Sequence, residues 1–131
     1  FSHWLSIGDR AEAAGLPKRC WVNWFRKDTA GNFMWPGFGE NIRVLKWVAE
    51  RVAGTGSATD TPIGLVPTID AIDRDGTGVD DETMAQLLSV NPASWGHAVA
   101  RINEPCARIG DRLPKRLDAG LEDLSRRLDD A

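Results

Sequence analysis

Apolar residues recur along the chain at helical spacing in several places, separated by short segments rich in Gly, Pro and polar residues. From Ser2 to Ala14, Trp4, Leu5, Ile7, Ala11 and Ala14 fall at mixed spacings of three and four, and Gly15-Leu16-Pro17 ends the pattern as a helix stop should. A second helix is expected over Glu40 to Val52, with Val44, Leu45, Val48 and Val52 on its apolar face. The last part of the chain reads as three helices. Asp80 or Asp81 caps one carrying Met84, Leu87 and Leu88, and Asn91 caps the next, with Pro92 at its first position. In that helix Trp95, Val99, Ile102, Cys106 and Ile109 form one stripe, and Pro105, which lacks an N–H and crowds the preceding turn, predicts a kink. Pro114 opens the final helix, with Leu117, Leu121, Leu124 and Leu128 as its stripe.

Between the first two helices the period changes. Cys20 to Phe25 is a run of apolar and aromatic residues, Arg26 to Asn32 is a polar turn containing Gly31, and Phe33-Met34-Trp35 follows, which predicts strand, turn and strand. Pro36-Gly37-Phe38-Gly39 is a loop in which glycine opens backbone angles closed to other residues, and it places Asn41 in the first turn of the following helix. From Gly54 to Asp81 the chain is rich in Gly, Thr, Asp and Pro, with one short strand expected at Ile63 to Val66.

Composition narrows the class. The 131 residues carry 16 Lys plus Arg against 19 Asp plus Glu, a net charge of −3, with 42% hydrophobic and 27% charged residues. That is a globular balance and the length of one domain or part of one. No run of about 18 apolar residues occurs, so the chain is expected to be soluble with no membrane partner. Net acidity disfavours nucleic acid as a partner, leaving only the interleaved Arg26, Lys27, Arg43 and Lys46 as a local basic patch. Two cysteines, Cys20 and Cys106, without CxxC spacing suit a reducing compartment, and both are expected to be small buried hydrophobes in a cytoplasmic protein. The chain opens on Phe1 without an initiator Met or a signal peptide, which points to a piece of a longer chain.

Candidate chemistry is sparse. Asp73, Asp75, Gly76 and Glu82 take the third, fifth, sixth and twelfth positions of a calcium loop, but the first position falls on Ala71, so a solvated acidic turn is the better account. His3, His97 and the two cysteines show no spacing that would build a nucleophile with its base. GxxxxGK[ST] and GxGxxG are both absent. The aromatic segment is different. Phe25, Phe33 and Phe38 on two short strands and a Gly loop could converge on a flat slot, with Gly37 and Gly39 admitting close backbone approach and Asn41 supplying a carboxamide to read an edge. The competing account is that these aromatics fill a core.

At these residues the sequence resembles the GTP-dependent phosphoenolpyruvate carboxykinases. The resemblance rests on Val22-Asn23-Trp24-Phe25-Arg26-Lys27-Asp28, on Phe33-Met34-Trp35-Pro36-Gly37-Phe38-Gly39-Glu40-Asn41, on Arg43-Val44-Leu45-Lys46-Trp47 and on Thr61-Pro62-Ile63-Gly64. It covers Val22 to Pro67 strongly. It implies an α/β enzyme whose C-terminal part is mainly helical with a few short strands. Residues 1–131 would be one partial domain, the C-terminal end of the nucleotide-binding domain, with a guanine-pocket segment at 22–67 and C-terminal helices at 80–131. The implied enzyme is a monomeric cytoplasmic lyase of gluconeogenesis that decarboxylates oxaloacetate and uses GTP to make phosphoenolpyruvate, GDP and carbon dioxide. By motif position, Phe25, Phe33 and Phe38 would line or stack on guanine and Asn41 would bond its edge, with Gly39 and Glu40 contributing mainly through backbone. The family's phosphate loop, its Mn2+ or Mg2+ ligands and its substrate-binding Arg would lie upstream of Phe1, so the isolated segment is expected to be inactive. Ile42, Leu65 and Cys20-Trp21 depart from the family's usual Ser, Tyr and Phe-His. The alternative of a different class is an independent, non-catalytic helical interaction module.

Overall fold

A computed structural model describes residues 1–11 and 15–131. They form two compact units, Phe1–Pro17 with Val90–Ala131, and Lys18–Ser89.

In the first unit, helix α1 (Ser2–Arg10) ends at Ala11 in extended backbone. The expected continuation over Glu12 to Ala14 lies outside the described residues. Helix α4 (Pro92–Ile109) is capped by Asn91, whose Oδ1 accepts from the Ser94 N–H at 3.2 Å, and it carries Pro92 in its first turn. It continues through Pro105 to Ile109. Helix α5 (Lys115–Asp129) follows a short 3-10 turn and packs against α4. The two stripes meet the expectation in part. Val99 and Leu128 are buried and Trp95, Cys106, Ile109, Leu117, Leu121 and Leu124 half-buried, but Ile102 is exposed. An Asp9–Arg116 ion pair at 2.6 Å links α1 to α5.

The second unit holds the larger core, built from Trp35, Trp47, Ile72, Val79 and Met84, with Trp24, Val44, Val48, Leu87 and Leu88 packed against it. Helix α2 (Asn41–Ala53) starts one residue later than the spacing predicts, because Phe38–Glu40 forms a 3-10 turn ahead of it. Its inward face also differs. Val44, Trp47 and Val48, spaced three and four apart, point to the core, whereas Leu45 and Val52 are exposed. Trp47 fits inside because its Nε1–H donates to the Ser57 carbonyl at 2.8 Å. Gly54 closes α2 in the left-handed region, φ 82° and ψ 10°.

After α2, β1 (Ala58–Thr61) pairs antiparallel with β2 (Gly64–Pro67), joined through Pro62-Ile63. The expected lone strand at Ile63 to Val66 is therefore the second arm of a hairpin. Helix α3 (Asp81–Leu88) is capped by Asp80, whose Oδ1 accepts from the Thr83 N–H at 2.8 Å. The two strands expected at Cys20–Phe25 and Phe33–Trp35 do not form. Trp24 and Phe25 lie in a turn, and only a single bridge, Lys27 to Phe33, pairs the two arms. No described helix is long and apolar enough to cross a membrane.

Candidate functional site

Side-chain caps, rather than a strand ladder, shape the Asn23–Phe33 segment. Asn23 Oδ1 accepts from the Phe25 N–H at 3.0 Å, which turns the chain before Phe25. Asp28 Oδ1 then accepts from the N–H groups of Ala30 and Asn32 at 2.9 and 2.8 Å, and its Oδ2 from Asn32 Nδ2 at 3.1 Å. The Asn32 side-chain bond, followed by its backbone N–H, holds the Asp28 carboxyl below the usual carboxylate range. Gly31 completes the reversal at φ 89°, a backbone angle that favours glycine. Two backbone bonds, Met34 N–H to Arg26 and Asp28 N–H to Asn32, both 3.0 Å, close the arms on each other. Arg26 fastens this turn to the end of α3, donating to the Leu87 carbonyl at 3.1 Å, the Ser89 carbonyl at 3.3 Å and Ser89 Oγ at 3.1 Å.

That scaffold sets Phe25 and Phe33 side by side on the outer surface, their ring centroids 6.2 Å apart and their planes at 61°, an edge-to-face pair. The Lys27 ammonium stands 4.8 Å from the Phe33 centroid. Phe25, Phe33 and Phe38 are 72%, 58% and 94% exposed, so core filling does not describe them. Trp35 and Trp47 fill the core instead.

The second arm reaches Asn41 through Pro36 and Gly37. Gly37 has φ 102° and ψ −150°, a combination essentially reserved for glycine. A Cβ built on Gly37 or on Gly39 would meet no atom within 4 Å, so the loop is open on both flanks. Phe38, Gly39 and Glu40 make the 3-10 turn, with Glu40 N–H bonded to the Gly37 carbonyl at 3.1 Å. The Glu40 carboxylate accepts from Arg43 Nε at 2.5 Å, which commits its side chain to the protein. Half-buried Asn41 accepts at Oδ1 from the indole N–H of Trp35 at 3.0 Å. The structure thus joins Phe25 to Phe33 and Trp35 to Asn41, and leaves Phe38 projecting into solvent.

Sequence reasoning passed over Trp35. Its position between Phe33 and Phe38 made it one aromatic among several, and only its burial beside a carboxamide distinguishes it. Cys20, expected to be buried, is exposed, and the strand it was expected to begin does not form. Cys106 is half-buried and both thiols are free. His3 and His97 sit exposed on α1 and α4.

The acidic turn has other partners. Asp73 Oδ1 accepts from the Asp75 N–H at 3.0 Å, its Oδ2 pairs with Arg43 at 3.0 Å, and Asp81 pairs with Arg74 at 2.7 Å. Among the described residues no group of three or more His, Cys, Asp or Glu is placed to hold a metal ion. The basic residues are likewise engaged: Arg26 by α3, Arg43 by Glu40, Asp73 and Asp75, Lys46 by Glu50 at 3.6 Å and Lys27 by Phe33.

A family model described as the phosphoenolpyruvate carboxykinase C-terminal P-loop domain matches residues 1–127. The chain is similar to the phosphoenolpyruvate carboxykinase (GTP) of Treponema pallidum (strain Nichols), 43% identical over 129 residues, covering 98% of this chain and 21% of the relative. The protein of the same name from Neocallimastix frontalis is 46% identical over 129 residues, covering 98% and 21%. That from Paenarthrobacter aurescens (strain TC1) is 42% identical over 127 residues, covering 97% and 21%. The chain therefore spans about a fifth of the length of these relatives. With the family match running over nearly the whole sequence, the chain belongs to the C-terminal domain family of the GTP-dependent phosphoenolpyruvate carboxykinases.

Proposed function

We propose that these residues form the guanine-recognition wall of a GTP-dependent phosphoenolpyruvate carboxykinase, the enzyme that converts oxaloacetate and GTP to phosphoenolpyruvate, GDP and carbon dioxide. The observation that carries the reading is the exposure of three phenyl rings on a scaffold held by side-chain hydrogen bonds and a buried Trp35. Phe25 and Phe33 touch edge to face, Phe38 stands on the Gly37–Gly39 turn, and Asn41 follows at the start of α2. Flat apolar faces left in water are what a purine base needs for stacking, and the carboxamide supplies the polar reader that stacking alone lacks. Gly39 and Glu40 contribute through the backbone of the turn, since one has no side chain and the other's is held by Arg43.

Phosphoryl transfer and decarboxylation need a phosphate loop and a divalent cation, Mn2+ or Mg2+ in this reading. The described residues hold neither a metal-ligand group nor the GxxxxGK[ST] pattern. Those parts fall to the remainder of the relatives' length, and the 131 residues alone are assigned no catalysis. Oxaloacetate and phosphoenolpyruvate are accordingly partners of the whole enzyme, which the reading places in the cytoplasm as a monomer acting in gluconeogenesis.

The test is Asn41→Ala in a full-length carboxykinase ending in this segment. Preference for GTP over ATP should fall while metal affinity stays as it was, because the substitution removes an edge contact to the base, together with the acceptor of the Trp35 N–H, and no metal ligand. An unchanged GTP to ATP ratio of kcat/KM would overturn the assignment.

A further inference from the structure

Resting on the guanine reading above, we propose that Trp35 is a specificity-positioning residue: its indole N–H fixes the Asn41 carboxamide so that the amino group faces the base.

An indole nitrogen donates and does not accept. The carboxamide atom 3.0 Å from Trp35 Nε1 is therefore the oxygen, whichever way an amide at this position is drawn. Trp35 is 6% exposed, and its ring is packed in the core with Trp47, Ile72, Val79 and Met84, so the donor is rigid. Left without Asn41, that buried N–H would have to find another acceptor or remain unsatisfied, which gives the pair a reason to stay together. With Oδ1 held on the Trp35 side, Nδ2 and its two hydrogens are turned the other way.

A base edge meeting Nδ2 must present an acceptor. Guanine carries a carbonyl oxygen at its six position and adenine an amino group there, so a fixed donor bonds to the first and opposes the second. A freely rotating carboxamide would offer its oxygen to adenine after a half-turn and lose the distinction. Discrimination thus depends on the residue that prevents the half-turn, and Trp35 does so without touching nucleotide.

The experiment compares GTP and ATP kinetics in a full-length carboxykinase ending in this segment. Trp35→Phe keeps an apolar ring and removes the N–H; the GTP to ATP ratio of kcat/KM should fall roughly fivefold to tenfold, the range of one lost hydrogen bond, and the change should appear in KM for GTP rather than in kcat. Asn41→Asp supplies a second measurement that leaves the core intact. One carboxylate oxygen still accepts from Trp35, so the other presents an acceptor to the base, and the ratio should fall below that of Asn41→Ala. If Asn41→Ala lowers the ratio while a folded Trp35→Phe enzyme keeps the original one, the positioning role is refuted and the guanine reading stands. If Trp35→Phe does not fold, Asn41→Asp decides: a ratio equal to or above that of Asn41→Ala means the oxygen faces the base and overturns the proposal. If Asn41→Ala itself changes nothing, the guanine reading fails and this inference with it.

Discussion

Removing the Phe33 ring separates a binding role from a folding role, because the two make opposite demands on exposure. Phe33 is 58% exposed and touches Phe25 edge to face, with Lys27 over its ring. Its contribution to the fold is one aromatic pair, worth ~0.5–1.5 kcal/mol beyond area, whereas truncating a buried Phe costs ~3–5 kcal/mol. A base stacked on it, as proposed, would gain ~1–3 kcal/mol, which corresponds to about 5- to 150-fold in Kd. Phe33→Ala in a full-length carboxykinase ending in this segment should therefore raise the Kd for GDP by a factor in that range, with only a small fall in thermal stability. Phe33→Leu, which restores apolar area without a π-face, should recover part of the affinity. Isothermal titration with GDP and a melting curve on the same samples measure both quantities. A folded Phe33→Ala protein with unaltered GDP affinity refutes stacking at this ring. A stability loss as large as that of a buried phenylalanine refutes the claim that the ring serves a ligand rather than the core.

The two loop glycines give a paired test. Gly37→Ala should destabilise by ~1–3 kcal/mol through strain at its positive φ alone, since no atom crowds the new methyl; equal stability in denaturant titration would show that the loop relaxes freely. Gly39→Ala has no such strain and open space around it, so the fold should be unaffected while nucleotide affinity drops if the base comes close; unchanged GDP binding would remove Gly39 from the site. Asp80 is held below the ordinary aspartate range first by the Thr83 backbone N–H it accepts, so its stabilising effect is complete above about pH 4 and disappears as pH falls through its lower folded value. Protection of the Thr83 amide from hydrogen exchange should follow that loss. Asp80→Asn, which keeps a cap but does not titrate, should abolish the pH dependence, and a variant with the same acid response would disprove the linkage.

Helices with a continuous stripe were legible because their burial follows from period alone. Asn91 and Pro92 marked the start of α4, and Leu117, Leu121, Leu124 and Leu128 drew the inner face of α5. Where tertiary contacts override local pattern, the sequence misled. Val44, Leu45, Val48 and Val52 looked like one apolar face of α2, yet Trp47 takes the inward place and displaces Leu45 and Val52 to the surface, because its N–H finds the Ser57 carbonyl. Strand β1 was illegible: Ala58-Thr59-Asp60-Thr61 has no apolar alternation, and its pairing comes from the turn at Pro62-Ile63 and from β2. The aromatic run from Cys20 to Phe25 suggested a strand by composition, but Asn23 and Asp28 capture backbone N–H groups through their side chains and impose turns there.

The same competition explains why the six tryptophans and four phenylalanines could not be sorted into core and site by pattern. A buried Trp must satisfy its N–H, and the two most buried ones do so locally, Trp35 at Asn41 and Trp47 at Ser57. Each indole thereby binds the inner wall to a particular neighbour and makes it stiff. Phe25, Phe33 and Phe38 carry no polar handle, and nothing but contact could hold them inside. They remain in water, forgoing roughly 25 cal/mol for each Å2 of apolar surface that a core would have covered. In the proposed guanine site, a flat base laid on them would recover that stabilisation at the moment of binding. On the proposal made above, the cost to the free protein would be the source of the affinity, and the indole that holds Asn41 Oδ1 would decide which base collects it.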